Sequence, residues 1–311
     1  MSHAWEQTIT IDTELALKLI TEQQHIAVKD IQLLDAGWDN VVYRVNQTLI
    51  FRFPRREFGI VCMENEIALT PYIQSQVPFI LSAAQWIGKP TQAYPYVYAG
   101  YSQVLGKPLC EAAHALVDNV KFARTLAAWL KALHAIPVTE DLQAQVKGSY
   151  EWKLNIAHRV SRCYENLTHY EKYYEQAGFN KAVLVNIIEL FKQWSFEPIP
   201  FVFVHGDLYS RHIIVNEMIQ PVGLIDWGDV HIGHPGVDLS SGMIFTKKAL
   251  TVFLDTYGSV NRNTQQVMLF NSFCHSMSFL PYAFEQKKED LQHWATLVLQ
   301  RVIDEVIELE K

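Results

Sequence analysis

The chain has 311 residues, a formal net charge of −7 at pH 7, 49% hydrophobic residues and 19% charged residues. This composition is that of a folded globular protein and excludes an intrinsically disordered chain. Because basic residues are not in excess, the sequence also argues against a dedicated nucleic-acid-binding protein.

The first hundred residues are predicted to mix helix and strand. Asp12 is predicted to cap a helix, because its carboxylate can accept a free N–H of the first turn. Residues 41–45 and 49–53 are rich in β-branched and aromatic side chains, which favour strands. The polar residues 46–48 between them suit a hairpin turn. Pro54 is expected to end the second strand, because proline has no N–H for the ladder.

A helix then carries Glu66, and Pro71 is expected to bend or end it, because proline removes a helical hydrogen bond. The following segment, 94–105, is aromatic and β-branched, and it ends in the turn sequence Gly-Lys-Pro. We therefore place a boundary after residue 105. It divides the chain into an N-terminal part, 1–105, and a C-terminal part, 106–311.

The second part of the chain is predicted to be mainly helical. Asp118 is expected to cap a helix whose leucines recur at helical spacing, and residues 150–194 also favour helices. Two short, strongly apolar runs follow, at 201–204 and 222–225. Each is predicted to be a buried strand, and the rest of the chain returns to helices.

Both of these apolar runs lead directly into polar clusters. His205-Gly206-Asp207 follows the first run, with His212 a short distance further on, and Asp226 follows the second. Strand ends are places where a rigid scaffold presents polar groups. Phosphoryl transfer requires a group that orients the attacking hydroxyl and ligands for a metal that neutralises phosphate charge. Asp207 suits the first task, and Asp226 with His212 suits the second.

The segments HGDLYSRH and IDWGD resemble the catalytic and metal-binding loops of the aminoglycoside and macrolide phosphotransferases, which share the protein-kinase fold. The family motif is His-x-Asp, four residues and then a metal ligand, usually Asn. His212 occupies that last position, as is usual in the 2″-aminoglycoside and macrolide 2′ branches. The resemblance implies that Asp207 is catalytic and that His212 and Asp226 bind Mg²⁺. Imidazole is a softer ligand than Mg²⁺ prefers.

The N-terminal half is similar to the same family, more loosely but in the same order. The segment 37–40, Gly-Trp-Asp-Asn, corresponds to the nucleotide loop and includes Asn40. Arg52 stands where the family has a phosphate-binding Lys, and Glu66 corresponds to the helix acid that holds this cation. Ser102 and Val104 correspond to the hinge whose backbone contacts the purine. The implied cofactor is therefore ATP or GTP with Mg²⁺.

The resemblance implies an α+β, two-lobed protein-kinase-like fold with a small antiparallel-sheet N-lobe and a larger, mainly helical C-lobe. It implies that residues 1–105 are a nucleotide-binding lobe and residues 106–311 a catalytic and substrate-binding lobe, with nucleotide and metal expected between them. The implied enzyme phosphorylates a hydroxyl of a small molecule, of the aminoglycoside or macrolide antibiotic type. A kinase of an endogenous metabolite stays open, because the sequence does not order residues around an acceptor pocket. A non-catalytic nucleotide-binding regulator stays open, because the glycine-rich loop is missing and the usual Lys and Asn are replaced.

Other residues have both structural and functional interpretations. Asp207 alone would be an ordinary turn residue, and Asp229 and Asp238 are loop braces or site residues. An aromatic set on a late helix is assigned to the core in preference to a macrolide pocket: Phe279, Tyr282 and Phe284. An acidic set is assigned to a solvated face in preference to a site for amines: Glu285, Glu289 and Asp290.

The sequence also gives expectations for the location and the partners of the protein. No signal peptide and no apolar run long enough to cross a bilayer is recognisable, so we expect a cytoplasmic protein without a membrane partner. No obligatory protein partner is indicated. The cysteines are far apart in the sequence and form no CxxC pair, which predicts buried thiols in a reducing compartment: Cys62, Cys110, Cys163 and Cys274.

Overall fold

The computed structural model describes residues 9–37, 39–258 and 260–311. They divide into two compact units. The first unit contains the described residues through Leu105 together with 138–148 and 223–231, and the second contains 106–137, 149–222 and 232–311. A single cut after residue 105 therefore differs from this division, because two later segments belong to the first unit.

The first unit begins with helix α1, Thr13–Gln24. The carboxylate of Asp12 accepts a hydrogen bond from the backbone N–H of Leu15 at 2.8 Å, which confirms the predicted cap. Helix α2, Glu57–Gln74, carries Glu66 and runs through Pro71, so of the two predicted outcomes, a bend or an end, this proline does not end the helix. Pro71 lies in the last turn, where only one intrahelical hydrogen bond is lost.

Most strands of the first unit form a five-stranded antiparallel sheet with the order β1-β2-β3-β6-β5. The predicted hairpin is confirmed as β2 and β3, with Val45 opposite Leu49. Its turn has positive φ angles at Asn46 and Gln47, of 49° and 62°, which match the right-handed twist of paired strands. The strand bounds are β1 Ile31–Ala36, β2 Asn40–Val45, β3 Leu49–Pro54, β4 Ile80–Leu81, β5 Trp86–Gly88 and β6 Tyr98–Ser102.

The core beside this sheet is aromatic. Phe53 stacks on Tyr98 with ring centroids 4.5 Å apart, and both side chains are fully buried. Gly100 lies opposite Phe51, and a Cβ at position 100 would come within 2.4 Å of that ring. The close approach of this ring to the backbone of β6 therefore requires glycine. These contacts fix the face of β3 that is turned away from Arg52.

The second unit is mainly helical, with short strands. Its long helix α10 packs against α6, α8 and α11, while α4 packs against α9. The N-cap of α4 is Asn119, whose side chain accepts the N–H groups of Lys121 and Phe122. The prediction of Asp118 as that cap was wrong by one residue, since Asp118 accepts the hydroxyl of Thr246 instead.

The remaining elements have the following bounds. The strands are β7 Lys107–Pro108, β8 Val202–Val204, β9 Ile213–Val215, β10 Pro221–Leu224 and β11 His231–Gly233. The helices are α3 Leu109–Ala112, α4 Val120–His134, α5 Glu140–Gln145, α6 Ile156–Gln176, α7 Lys181–Phe191, α8 Gly236–Leu239, α9 Lys247–Tyr257, α10 Arg262–Glu285 and α11 Glu289–Leu309. Among the described residues, no helix has both the length and the apolar character needed to cross a bilayer.

Candidate active site

Arg52 in the first unit lies between two carboxylates. It is the fourth residue of β3, and its guanidinium nitrogens lie 2.8 Å from Glu66 on α2 and 2.6 Å from Asp226. Its side chain is 9% exposed and that of Glu66 is fully buried. A planar guanidinium can hold two carboxylates at once through separate N–H groups. The structure thus brings together three residues that were singled out in the sequence.

The structure also distinguishes Glu66 from its neighbour Glu64. Glu64 binds the ammonium group of Lys147 at 2.9 Å, and its side chain is one-third exposed. Burial raises the pKa of Glu66 to about 7, although the nearby guanidinium acts in the opposite direction. Burial would lower the pKa of Arg52, but the carboxylates of Asp226 and Glu66 outweigh it and raise that pKa above its ordinary value.

Asp226 follows β10 and has a φ of 62°, in the left-handed region. The next residue, Trp227, is fully buried; it stacks on Phe79, and its indole N–H donates to the carbonyl of Leu224 at 3.2 Å. Residue 227 therefore anchors the turn while the carboxylate of Asp226 stays 42% exposed. A strained backbone held by a buried anchor is a common way to present a functional side chain.

The expected nucleotide loop lies between β1 and β2. Trp38, one of its residues, lies outside the described residues. Asp39 is held from two sides, by the side chain of Arg56 and by the backbone N–H of Arg55 at 2.8 Å. The side-chain oxygen of Asn40 is buried, and no hydrogen-bond partner for it is found among the described residues. Asp39 is therefore fixed by an ion pair and by a backbone hydrogen bond.

The expected hinge follows β6. Ser102 is the last residue of this strand, and its hydroxyl donates to the side chain of Gln85 at 2.9 Å. The backbone N–H of Gln103 donates to the carbonyl of Thr48 at 2.8 Å, and the side chain of Val104 is buried. These contacts fix the segment, while its contact with a purine stays a prediction.

In the second unit, the segment after β8 is held by Asp238. The two oxygens of this buried carboxylate accept the backbone N–H groups of His205 at 2.7 Å and Gly206 at 2.9 Å. One of them also lies 3.2 Å from the ring of His134. Gly206 has a φ of 87°, where glycine is favoured. Asp238 is thus a loop brace, which resolves one of the alternatives left open by the sequence.

Asp207 comes directly after this braced turn, and its side chain is one-third exposed. One carboxylate oxygen lies 3.5 Å from Nε2 of His275, and the other lies 3.7 Å from Nδ1 of His212. Burial alone would raise the pKa of Asp207, but the interactions with three side chains outweigh it and hold this pKa well below its ordinary value. Those side chains are His275, His212 and Lys153. Asp207 is consequently ionised at neutral pH.

The tautomer of His212 follows from its backbone contact. Its Nδ1 lies 2.7 Å from the carbonyl oxygen of Asp207. Since a carbonyl can only accept, Nδ1 carries the hydrogen, and in the neutral ring the lone pair is on Nε2. A histidine whose second nitrogen is fixed in this way is typical of a metal ligand.

The donors predicted for the metal are few. No cluster of three or more His, Cys, Asp or Glu side chains able to hold a metal occurs in the described part of the chain. Mg²⁺ at kinase sites is usually bound by one or two protein ligands together with nucleotide phosphates and water. In the first unit, the exposed carboxylate of Asp226 is an oxygen donor of the kind that Mg²⁺ prefers. In the second unit, the Nδ1 contact of His212 leaves the lone pair of the neutral ring on Nε2.

Two residues near Asp207 were not identified from the sequence. Lys153 is buried in a short 3₁₀ turn before α6, and its ammonium group donates to the carbonyl of Gly206 at 3.0 Å. His275 lies on α10, 68 positions after Asp207. Neither residue is part of a local motif. Asn271 and Ser272 lie on the same face of α10, so the polarity of His275 does not set it apart in the sequence.

The three aromatic residues that were singled out on α10 differ in burial. Tyr282 is buried, whereas Phe279 is half-buried and stacks on His275 with centroids 5.3 Å apart. Phe284 stacks on Tyr173. In the acidic set, Asp290 lies 3.7 Å from a ring nitrogen of His114. Phe284 is half-buried like Phe279, so only Tyr282 of this set is a buried core side chain.

The sequence of the chain matches a known protein family. The sequence model of the phosphotransferase enzyme family (APH) matches residues 30–270. A comparison with curated protein sequences found no match.

Solved structures with the same fold come from antibiotic phosphotransferases. The GDP and kanamycin complex of APH(2″)-IIIa is 20% identical, with a TM-score of 0.69 and coverage of 92% of this chain and 97% of the other. The GDP complex of wild-type aminoglycoside 2′-phosphotransferase-IIIa is 19% identical, with a TM-score of 0.70 and coverage of 95% and 99%. Macrolide 2′-phosphotransferase type I is 18% identical, with a TM-score of 0.60 and coverage of 94% and 99%. The fold predicted from the sequence is confirmed.

Proposed function

The chain belongs to the phosphotransferase enzyme family, and we propose that it transfers the γ-phosphoryl group of ATP or GTP to a hydroxyl of an aminoglycoside- or macrolide-type small molecule. The observation that carries this proposal is the carboxylate of Asp207. It lies on a braced turn, it is partly exposed, and its pKa is held below the ordinary value. A regulator that only binds nucleotide does not require such a group.

We propose that Asp207 orients the acceptor hydroxyl by accepting its hydrogen bond. A carboxylate with a lowered pKa is a weak base, so it is poorly suited to removing the proton before transfer begins. The transition state of phosphoryl transfer is loose, and bond formation to the acceptor oxygen is little advanced in it. Orienting the acceptor hydroxyl therefore contributes more to the rate than the basicity of Asp207 does. The proton of this hydroxyl passes to Asp207 late in the reaction.

On the nucleotide side, Arg52 is proposed to neutralise phosphate charge. Glu66 fixes one edge of the guanidinium at 2.8 Å, so the cation is directed before the nucleotide arrives. His212 and Asp226 are the proposed ligands of Mg²⁺, which would neutralise charge on the nucleotide phosphates when bound. Two further segments are proposed to contact the nucleotide. They are the loop that includes Asn40 and the hinge that includes Ser102 and Val104.

The choice of acceptor rests on similarity. Structures with this fold have been solved with kanamycin, gentamicin and streptomycin, and others are macrolide 2′-phosphotransferases. Either class presents ring hydroxyls to the enzyme that binds it. An endogenous metabolite kinase would differ from these only in its acceptor.

The test is a nucleotide-consumption assay with purified protein, ATP or GTP, and a panel containing kanamycin, gentamicin, a macrolide and an amino alcohol. Turnover with at least one acceptor is expected. Asp207→Asn should lower kcat by about 10²–10⁴-fold while nucleotide affinity stays within about twofold. Asp118→Asn, on an exposed loop, serves as the matched control. Nucleotide binding without turnover on any acceptor would favour the regulator instead.

A further inference from the structure

We propose that His275 is a positioning residue that orients the Asp207 carboxylate for the acceptor hydroxyl. This inference rests on the proposed function, because it assigns Asp207 to the acceptor side of the reaction. Nε2 of His275 lies 3.5 Å from one carboxylate oxygen of Asp207, and both side chains are one-third exposed. The contact is thus at a surface that a small molecule can reach.

His275 approaches the carboxylate of Asp207 directly, through Nε2. Nδ1 of His212 is 3.7 Å from the second carboxylate oxygen, but its hydrogen is already donated to the backbone carbonyl of Asp207 at 2.7 Å. Of these two histidines, His275 is therefore the better placed to donate a hydrogen bond to the carboxylate.

The ring of His275 is fixed by aromatic neighbours. It lies 5.3 Å from Phe279, one helical turn further along α10, with nearly parallel rings at 20°. It also lies 4.9 Å from Tyr209, which in turn lies 4.9 Å from Phe279. Offset aromatic contacts of this kind restrict the rotation of each ring. The imidazole is therefore held in place before an acceptor binds.

The distance leaves the carboxylate usable. A separation of 3.5 Å is longer than a strong charge-assisted hydrogen bond, which is about 2.7–2.9 Å. A carboxylate has about four acceptor positions. His275 can therefore fix the plane of the group through one oxygen while a position remains for the acceptor hydroxyl. Contacts of this type commonly tighten when the substrate is bound.

Two substitutions separate a donor role from a packing role. His275→Phe keeps the ring and its stacking on Phe279 but removes the N–H. His275→Gln removes the ring but keeps an N–H at a position similar to Nε2. If His275 orients Asp207, kcat should fall about tenfold or more in His275→Phe and be largely retained in His275→Gln. The KM for nucleotide should be unchanged in both variants.

The measurement is steady-state kinetics with whichever acceptor of the panel the wild type phosphorylates, on variants whose melting temperature is unchanged. His158→Phe, at an exposed position on α6, is the control and should behave like the wild type. The opposite order, with full activity in His275→Phe and loss in His275→Gln, would show a packing role and overturn the proposal.

A second readout needs no acceptor. In ¹⁵N-labelled wild-type protein, the Nε2 signal of His275 is expected to be that of a nitrogen carrying hydrogen. It should shift on Asp207→Ala, whereas the signals of His158 should not. If no compound in the acceptor panel is phosphorylated, the proposed function fails. The NMR measurement still tests the contact between His275 and Asp207. An unchanged His275 signal in Asp207→Ala overturns the positioning role whatever the assay shows.

Discussion

Arg52 shows how one side chain organises a buried cluster of charged groups in the first unit. Its two terminal nitrogens bind different carboxylates, at 2.8 Å and 2.6 Å, and it lies 5.7 Å from the ring centroid of Tyr101. A lysine has the same charge but presents it at a single point, so it cannot hold Glu66 and Asp226 in the same way. The arginine at this position therefore changes the geometry of the site as well as its chemistry.

This arrangement predicts a large loss of stability for Arg52→Met. The substitution leaves Glu66 fully buried without its cation, and removal of one partner of a buried pair costs about 3–5 kcal/mol. The free energy of unfolding should be measured by urea denaturation. Arg162→Met, which breaks an exposed pair with Glu165, should cost about 0.5 kcal/mol or less.

A second substitution tests the cause of that loss. Glu66→Gln in the Arg52→Met background removes the buried acid that has lost its cation and should restore part of the stability, so the double variant should be more stable than Arg52→Met alone. Purely additive losses would show that the charge of Glu66 is not responsible.

At the scale of elements, the segment from β8 to α8 is the most informative. Gly206 has its N–H bound to Asp238 and its carbonyl bound to Lys153, so the residue before Asp207 is fixed on both sides. Burial would raise the pKa of Asp238, but hydrogen bonds from His134 and from the loop backbone outweigh it and hold this pKa below its ordinary value. The braced turn thus depends on an ionised carboxylate.

Asp238→Asn should therefore destabilise the protein in a pH-dependent way. An amide places its NH₂ group against a backbone N–H of the loop, at a cost of about 2–4 kcal/mol at pH 7. Because the folded pKa of Asp238 is lowered, its contribution is complete above the unfolded value near 4 and is lost as the pH falls through the folded value. The difference in unfolding free energy between wild type and Asp238→Asn should shrink below about pH 4.

Chemical denaturation at several pH values between about 7 and 3 measures this difference. Asp118→Asn, whose partner Thr246 lies on an exposed surface, should differ from the wild type by about 0.5 kcal/mol or less at every pH. A pH-independent penalty in Asp238→Asn would contradict the assignment of the brace to an ionised carboxylate.

Local signals predicted some element boundaries and missed others. The turn at Asn46 and Gln47 and the helix cap at Asp12 depend on residues that are close in the sequence, and both were predicted correctly. The start of α4 was placed one residue early, because Asp118 and Asn119 are both good caps and only the tertiary contact of Asp118 with Thr246 separates them. Pro71 is tolerated because it lies in the final turn of α2.

At the scale of the whole molecule, the proposed function predicts stabilisation by nucleotide. A ligand that binds the folded state at about 100 times its Kd adds about 2.7 kcal/mol to the free energy of unfolding. Mg²⁺ with ATP or GTP should therefore raise the melting temperature of the wild type by several degrees. Removal of the metal with a chelator should reverse most of the shift.

Asp226→Asn should abolish the metal-dependent part of that shift, because it removes the charged ligand proposed for the metal. Asp229→Asn, two residues away, is the matched control, and it should keep most of the shift. An equal shift in wild type and Asp226→Asn, measured by differential scanning fluorimetry, would exclude Asp226 as a metal ligand.

The sequence by itself determined the family, the fold class and the strand-tip acids Asp207 and Asp226, because these follow from contiguous motifs that resemble a known family. It also identified Glu66 as the acid that holds Arg52. Only the tertiary structure decided that Asp238 braces the turn before Asp207 and that His275 and Phe279 lie beside it. Those residues are distant along the chain, and their proximity depends on how helices pack, which no local sequence pattern specifies.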